Sequence, residues 1–86
     1  MYDVELSKIA DKQFKKLPAN IQAQLQETID GLKENPRPHG YKNLKGKLSE
    51  YYRVRSGNYR IIYSIEDEQL TVYLLKIGDR KQVYKK

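Results

Sequence analysis

Gly57 and Asn58 stand between two runs of strand-forming residues, YYRVRS and YRIIYS, and this pair limits the possible folds more than any other feature. Glycine at the first central position of a two-residue loop suits a type II′ turn, whose twist matches that of paired strands. The turn sets a predicted register: Ser56 faces Tyr59, Arg55 faces Arg60, Val54 faces Ile61, Arg53 faces Ile62 and Tyr52 faces Tyr63. Side chains alternate across a strand, so Tyr52, Val54, Ile61 and Tyr63 are predicted to share a buried face and Arg53, Arg55 and Arg60 the opposite one. Like charges facing each other across a sheet are destabilising. Either the three guanidinium groups splay into water, where salt screens their repulsion, or an anion sits among them.

The helices that cover the buried face are predicted upstream. Tyr2, Val4 and Leu6 alternate with Asp3 and Glu5, the period of a half-buried strand. Ser7 then caps a helix whose apolar face is Leu6, Ile9, Ala10, Phe14 and Leu17, with Lys8, Lys12, Lys15 and Lys16 on a solvated side. Pro18 suits the first turn of a second helix, striped by Ile21, Leu25, Thr28, Ile29 and Leu32 and stopped by Asn35-Pro36. Residues 35–50 hold prolines, glycines and lysines and form a loop, anchored on the core by Leu44 and Leu48. Glu66-Asp67-Glu68 marks a second, solvent-exposed turn. The strand after it, Gln69 to Ile77, is apolar on both parities, so alternation leaves its register open; it is central or well covered, and Gly78 ends it. The tail DRKQVYKK either turns back over the basic face or ends as solvated chain. The expected class is α+β: an N-terminal strand, a helical hairpin, then a three-stranded antiparallel meander forming one small sheet.

At 86 residues the chain has room for one core, so residues 1–86 are expected to form a single domain. Its net charge of +6 is distributed unevenly. Residues 1–40 carry six basic and six acidic side chains, whereas residues 41–86 carry eleven basic and five acidic. Such polarity suits a polyanion: nucleic acid first, an anionic membrane surface second, an acidic protein third. Without cysteine there is no disulfide, thiolate zinc site or cysteine nucleophile. No apolar run approaches the roughly 20 residues of a membrane span, and the first residues lack the apolar core of a signal peptide, so a soluble cytoplasmic protein is expected.

Familiar catalytic constellations are missing. His39 is the only histidine and stands in a Pro/Gly loop, where it reads as a residue without a special role. The carboxylates at 66–68 occupy a turn instead of a two-metal cluster, and no Gly-rich phosphate loop is present. Phosphate chemistry would fall to Arg, Lys and Tyr.

The run LKGKLSEYYRVRSGNYRIIYSIEDEQL (Leu44 to Leu70), followed by IGDRKQVY (Ile77 to Tyr84), resembles the RelE/ParE superfamily of bacterial and archaeal toxins, and its density of basic residues resembles the RelE branch. The resemblance implies the RelE-like microbial RNase fold and a type II toxin–antitoxin toxin that enters the ribosomal A site and cuts mRNA. The implied reaction is attack of a ribose 2′-hydroxyl on the adjacent phosphate, inhibiting translation without metal or cofactor. The resemblance assigns Arg53, Arg55, Arg60, Arg80 and Tyr84 to catalysis, and Lys42, Lys45, Lys47, Lys81 and Lys85 are expected RNA or ribosome contacts. For Lys45 and Lys47 a solvated basic loop is an equal reading. Some members carry lysine where this chain has Arg53 and Arg55, and histidine where it has Asp79. Arginine stays charged and makes a poor base, so the implied catalysis is mainly electrostatic. The implied partners are a RelB-like antitoxin, the ribosome and mRNA. Two other readings stand beside this one, a ParE-like inhibitor of DNA gyrase and a non-catalytic basic nucleic-acid-binding module.

Overall fold

The computed structural model describes residues 1–79. Its elements run β1 (Asp3–Leu6), α1 (Lys8–Lys15), α2 (Ala19–Glu34), β2 (Lys42–Asn43), β3 (Tyr52–Ser56), β4 (Tyr59–Glu66) and β5 (Thr71–Asp79), with a 3-10 turn at Gly46–Leu48. The sheet order is β1-β5-β4-β3-β2. The β2 to β5 pairings are antiparallel, while β1 lies parallel to β5 with Val4 beside Val72 and Leu6 beside Leu74. Both helices pack on one face: Ala10, Leu25, Ile29 and Leu32 meet Val54, Ile61, Tyr63, Val72, Leu74 and Ile77 in a single cluster.

The strand whose register the sequence left open, β5, lies inside the sheet between β1 and β4, and it changes parity part-way. Ile61 pairs with Ile77 and Ile62 with Lys76, but Tyr63 pairs with Leu74, which leaves Leu75 as an extra residue. Such a bulge swaps the faces of the strand. Val72 and Leu74 therefore enter the core before it and Ile77 after it, which is why both parities are apolar. Polar groups of the first helical segment hold the bulge. The Ser7 hydroxyl accepts from the Ala10 N–H at 2.9 Å, capping α1, and donates to the Leu75 carbonyl at 2.7 Å. Gln13 Oε1 accepts from the Ile77 N–H at 2.7 Å.

Four expectations need correcting. Ile9 is 54% exposed, because α1 meets the sheet through a narrow stripe of Ala10, Gln13, Phe14 and Leu17. Ile9 lies about 100° round the helix from Ala10. Leu48 is also exposed and Leu44 only half-buried, so neither anchors the loop. That work falls to aromatic residues: the buried Tyr63 hydroxyl donates to the Pro36 carbonyl at 2.8 Å, and the Tyr41, Tyr52 and Tyr63 rings stand 5.7 and 5.9 Å apart in series. Burial raises the Tyr63 pKa, aided by the nearby Tyr41, so this phenol stays protonated and donating. The loop also contains a strand, β2, whose Lys42 pairs with Arg53 and Asn43 with Tyr52. Finally, Gly78 does not end the last strand; it pairs with Arg60 inside it.

Candidate nucleic-acid interface

The hairpin has the register that its turn chemistry requires, with Arg55 opposite Arg60 and Tyr52 opposite Tyr63. Gly57 has φ +61° and Asn58 is not in the left-handed region, the pattern of a type II′ turn. Helix α2 supports this turn from beneath. The Gln24 amide donates to the Ser56 carbonyl at 2.9 Å, and the Thr28 hydroxyl donates to the Ser56 hydroxyl at 3.1 Å. The turn that sets the arginine register is thus fastened to the helical layer.

Register across four strands gathers the cations on the face away from the helices. Lys42, Arg53, Ile62 and Lys76 form one row through β2, β3, β4 and β5, and Arg55, Arg60 and Gly78 form the next. With strands about 4.8 Å apart, the longer row spans about 14 Å. Arg55 is exposed, Arg53 half-buried and Arg60 only 5% exposed. A buried guanidinium loses rotamer freedom during folding instead of at the moment of binding, so Arg60 is the fixed member of the set. Its Nη1 donates to the Tyr59 carbonyl at 3.4 Å, a long contact.

Like charges face each other twice here, Lys42 against Arg53 and Arg55 against Arg60. The ion pairs among the described residues join Lys15 to Asp11, Lys33 to Asp30 and Arg37 to Asp67, and none draws on Arg53 or Arg55. An anion bridging the rows would lower the repulsion between such facing cations. Asp79 pairs with Tyr59, on the helix-side parity and away from these arginines. Among the described residues no three histidine, aspartate or glutamate side chains come together as metal ligands.

Beside the rows lies a cleft of about 270 Å³ lined by His39, Gly40, Arg53, Val54 and Arg55. The cleft brings in a residue that the sequence reading set aside, His39, and the sheet brings in another, Lys76. Neither had a usable local signal, since a two-residue strand has no periodicity and the bulge hides the parity of Lys76. Lys45 and Lys47 are exposed around the 3-10 turn, beyond the end of β2 and off the two rows. Arg80, Lys81, Tyr84 and Lys85 lie outside the described residues.

Comparison with known proteins gives a consistent result. A family model described as the ParE toxin of type II toxin-antitoxin systems matches residues 4–84. Toxin RelG of Mycobacterium tuberculosis is 34% identical, over 99% of this chain and 98% of its own. The mRNA interferase toxin RelE of Escherichia coli is 30% identical, over 96% of this chain and 90% of its own. In the crystal structure of the M. tuberculosis toxin-antitoxin complex RelBE2, the matching chain superposes with a TM-score of 0.82 at 32% identity, covering 92% of this chain and 98% of that one. The two-helix, five-strand fold is shared.

Proposed function

The chain belongs to the RelE/ParE toxin family of type II toxin–antitoxin systems, and from that premise we propose that it is a ribosome-dependent mRNA endoribonuclease that cuts in the A site. The observation that carries this reading is the pair of cationic rows, with Arg53, Arg55 and Arg60 on one sheet face and Arg60 held by burial. In the reaction the ribose 2′-oxygen attacks the adjacent phosphorus and the bond to the 5′-oxygen breaks, leaving a 2′,3′-cyclic phosphate and a 5′-hydroxyl. Charge develops on the phosphoryl oxygens, and fixed guanidinium groups stabilise it more than they stabilise the ground state. Arg60 serves as the preset contact, and Arg53 and Arg55 close on the phosphate from the neighbouring strand. Arg80 then stabilises the leaving oxygen and Tyr84 stacks on a base, as the family resemblance implies. Lys42 and Lys76 extend the charge along the RNA.

The E. coli relative is named as an mRNA interferase, and the M. tuberculosis relative was solved bound to an antitoxin. A RelB-like antitoxin is accordingly the expected partner of this chain, in the cytoplasm where its target lies. The test is incubation with programmed ribosomes, followed by mapping of mRNA ends. A-site cleavage is expected from the parent, and Arg60→Ala or Arg80→Ala should each lower it by about 100- to 1,000-fold. Because the matching family model carries the ParE description, the same preparation belongs in a gyrase supercoiling assay. Gyrase poisoning without mRNA cleavage would replace the present reading.

A further inference from the structure

The proposed reaction needs a group to take the proton from the 2′-hydroxyl, and the arginines of the two rows offer none. A guanidinium remains charged at any working pH, and the ammonium of Lys42 or Lys76 is a donor until it loses its own proton. The cleft beside them differs in one respect: its lining holds an imidazole. Histidine is the side-chain type that both accepts and releases protons near neutral pH.

How His39 reaches the cleft follows from the backbone. Pro38 to Tyr41 is a hydrogen-bonded turn, the Tyr41 N–H donating to the Pro38 carbonyl at 3.0 Å, with Gly40 at φ +89°. A glycine with positive φ at the third position is the requirement of a type II turn, which puts His39 at the second position. Continued past Lys42, the pairing with β3 would set Gly40 level with Arg55. Instead Gly40 bends the chain away, β2 stops after two residues, and the gap along the edge of β3 becomes the cleft. The turn is tied at both ends, by the Lys42 pairing with Arg53 on one side and by the Tyr63 bond to the Pro36 carbonyl on the other. His39 therefore stands on a turn held at both ends and lines the same cleft as the two arginines.

We propose that His39 is the proton acceptor of the cleavage, an inference that rests on the endoribonuclease reading above. The 2′-hydroxyl proton passes to an imidazole nitrogen as the 2′-oxygen bonds to phosphorus. The bond from phosphorus to the 5′-oxygen breaks, and that oxygen takes a proton from water. The imidazolium then returns its proton to solvent, leaving charge and atoms balanced. Arg53 and Arg55 are the charged side chains that line the cleft with His39, and Lys42 follows it in the chain.

The experiment is single-turnover mRNA cleavage on programmed ribosomes by the parent, His39→Ala and His39→Gln, each with and without free imidazole, alongside ribosome binding. His39 is exposed, so both variants should fold, which circular dichroism checks. The expected result is a fall of about 100-fold or more in both variants, the scale of a lost general base, with unchanged ribosome binding and partial recovery of His39→Ala on adding imidazole. Cleavage within about threefold of the parent, a marker well below any general-base effect, overturns the assignment. So does a loss that imidazole leaves unrepaired, or one that follows weakened ribosome binding. A parent that does not cut mRNA at all sinks the endoribonuclease reading itself, and this assignment with it.

Discussion

At the residue scale the most informative side chains are those whose surroundings oppose their chemistry. Arg60 is cationic yet buried, and Leu70 is a bulky residue at φ +49° in the β4–β5 turn. A left-handed conformation costs a non-glycine residue about 1–2 kcal/mol, and Leu70 is half exposed, so it has little burial to lose. Leu70→Gly should therefore raise stability by about 0.5–1 kcal/mol, measured as a higher urea midpoint. Asp67 makes the opposite case of a residue well served by its neighbours. Arg37 donates to both its oxygens at 3.1 and 2.9 Å, and the Tyr2 hydroxyl adds a third bond at 2.8 Å. Together, with Arg37 first, they hold the Asp67 carboxyl at about 2. The folded pKa lies below the ordinary 3.8, so this contribution is present above about pH 4 and is lost as the pH falls through about 2. Asp67→Asn should flatten the pH dependence of stability in that window, and because the pair is exposed, added salt should flatten it too.

At the element scale the hairpin turn decides the rest. A Cβ on Gly57 would stand 2.7 Å from the Gln24 Nε2, at a φ of +61° that side chains avoid. Gly57→Ala should cost more than the about 1–2 kcal/mol of its left-handed backbone alone, and in a Gln24→Ala background only that backbone part should remain. Thermal melts of the two single variants and the double variant check this. The turn, the Ser7 cap and the apolar stripe of α2 were all legible in the sequence, because each depends on residues within a few positions of one another. The bulge at Leu75 and the two-residue β2 were not, since both exist only through a partner strand distant in the chain. From those two elements came the parts of the site that reading residue by residue missed: the bulge hid the side of Lys76, and β2 placed His39 beside Arg53 and Arg55. The three hairpin arginines were legible for the same reason as the turn.

For the whole molecule, charge and topology divide the labour. The helices occupy one side of the sheet, and the face opposite them carries Lys42, Arg53, Arg55, Arg60 and Lys76. Neutralised phosphates release counterions, so binding to a short single-stranded RNA should weaken linearly on a log–log plot against salt. Lys76→Ala should reduce that slope by about 0.7, whereas Lys47→Ala, off the rows, should leave it unchanged. Fluorescence anisotropy over a salt series measures both.

The placement of β5 bears on the order in which such a molecule can be made. It is the latest described strand in the chain but lies inside the sheet, joining β1 on one side to β4 on the other. Contacts between chain positions this far apart close slowly and late. During synthesis β1 and the β3–β4 hairpin would emerge with the seat between them empty, and Lys76 would be missing from its row. Nascent chains stalled before Thr71 should accordingly remain open to protease. The ribosome would release a finished sheet only after it had translated the strand that completes the proposed weapon.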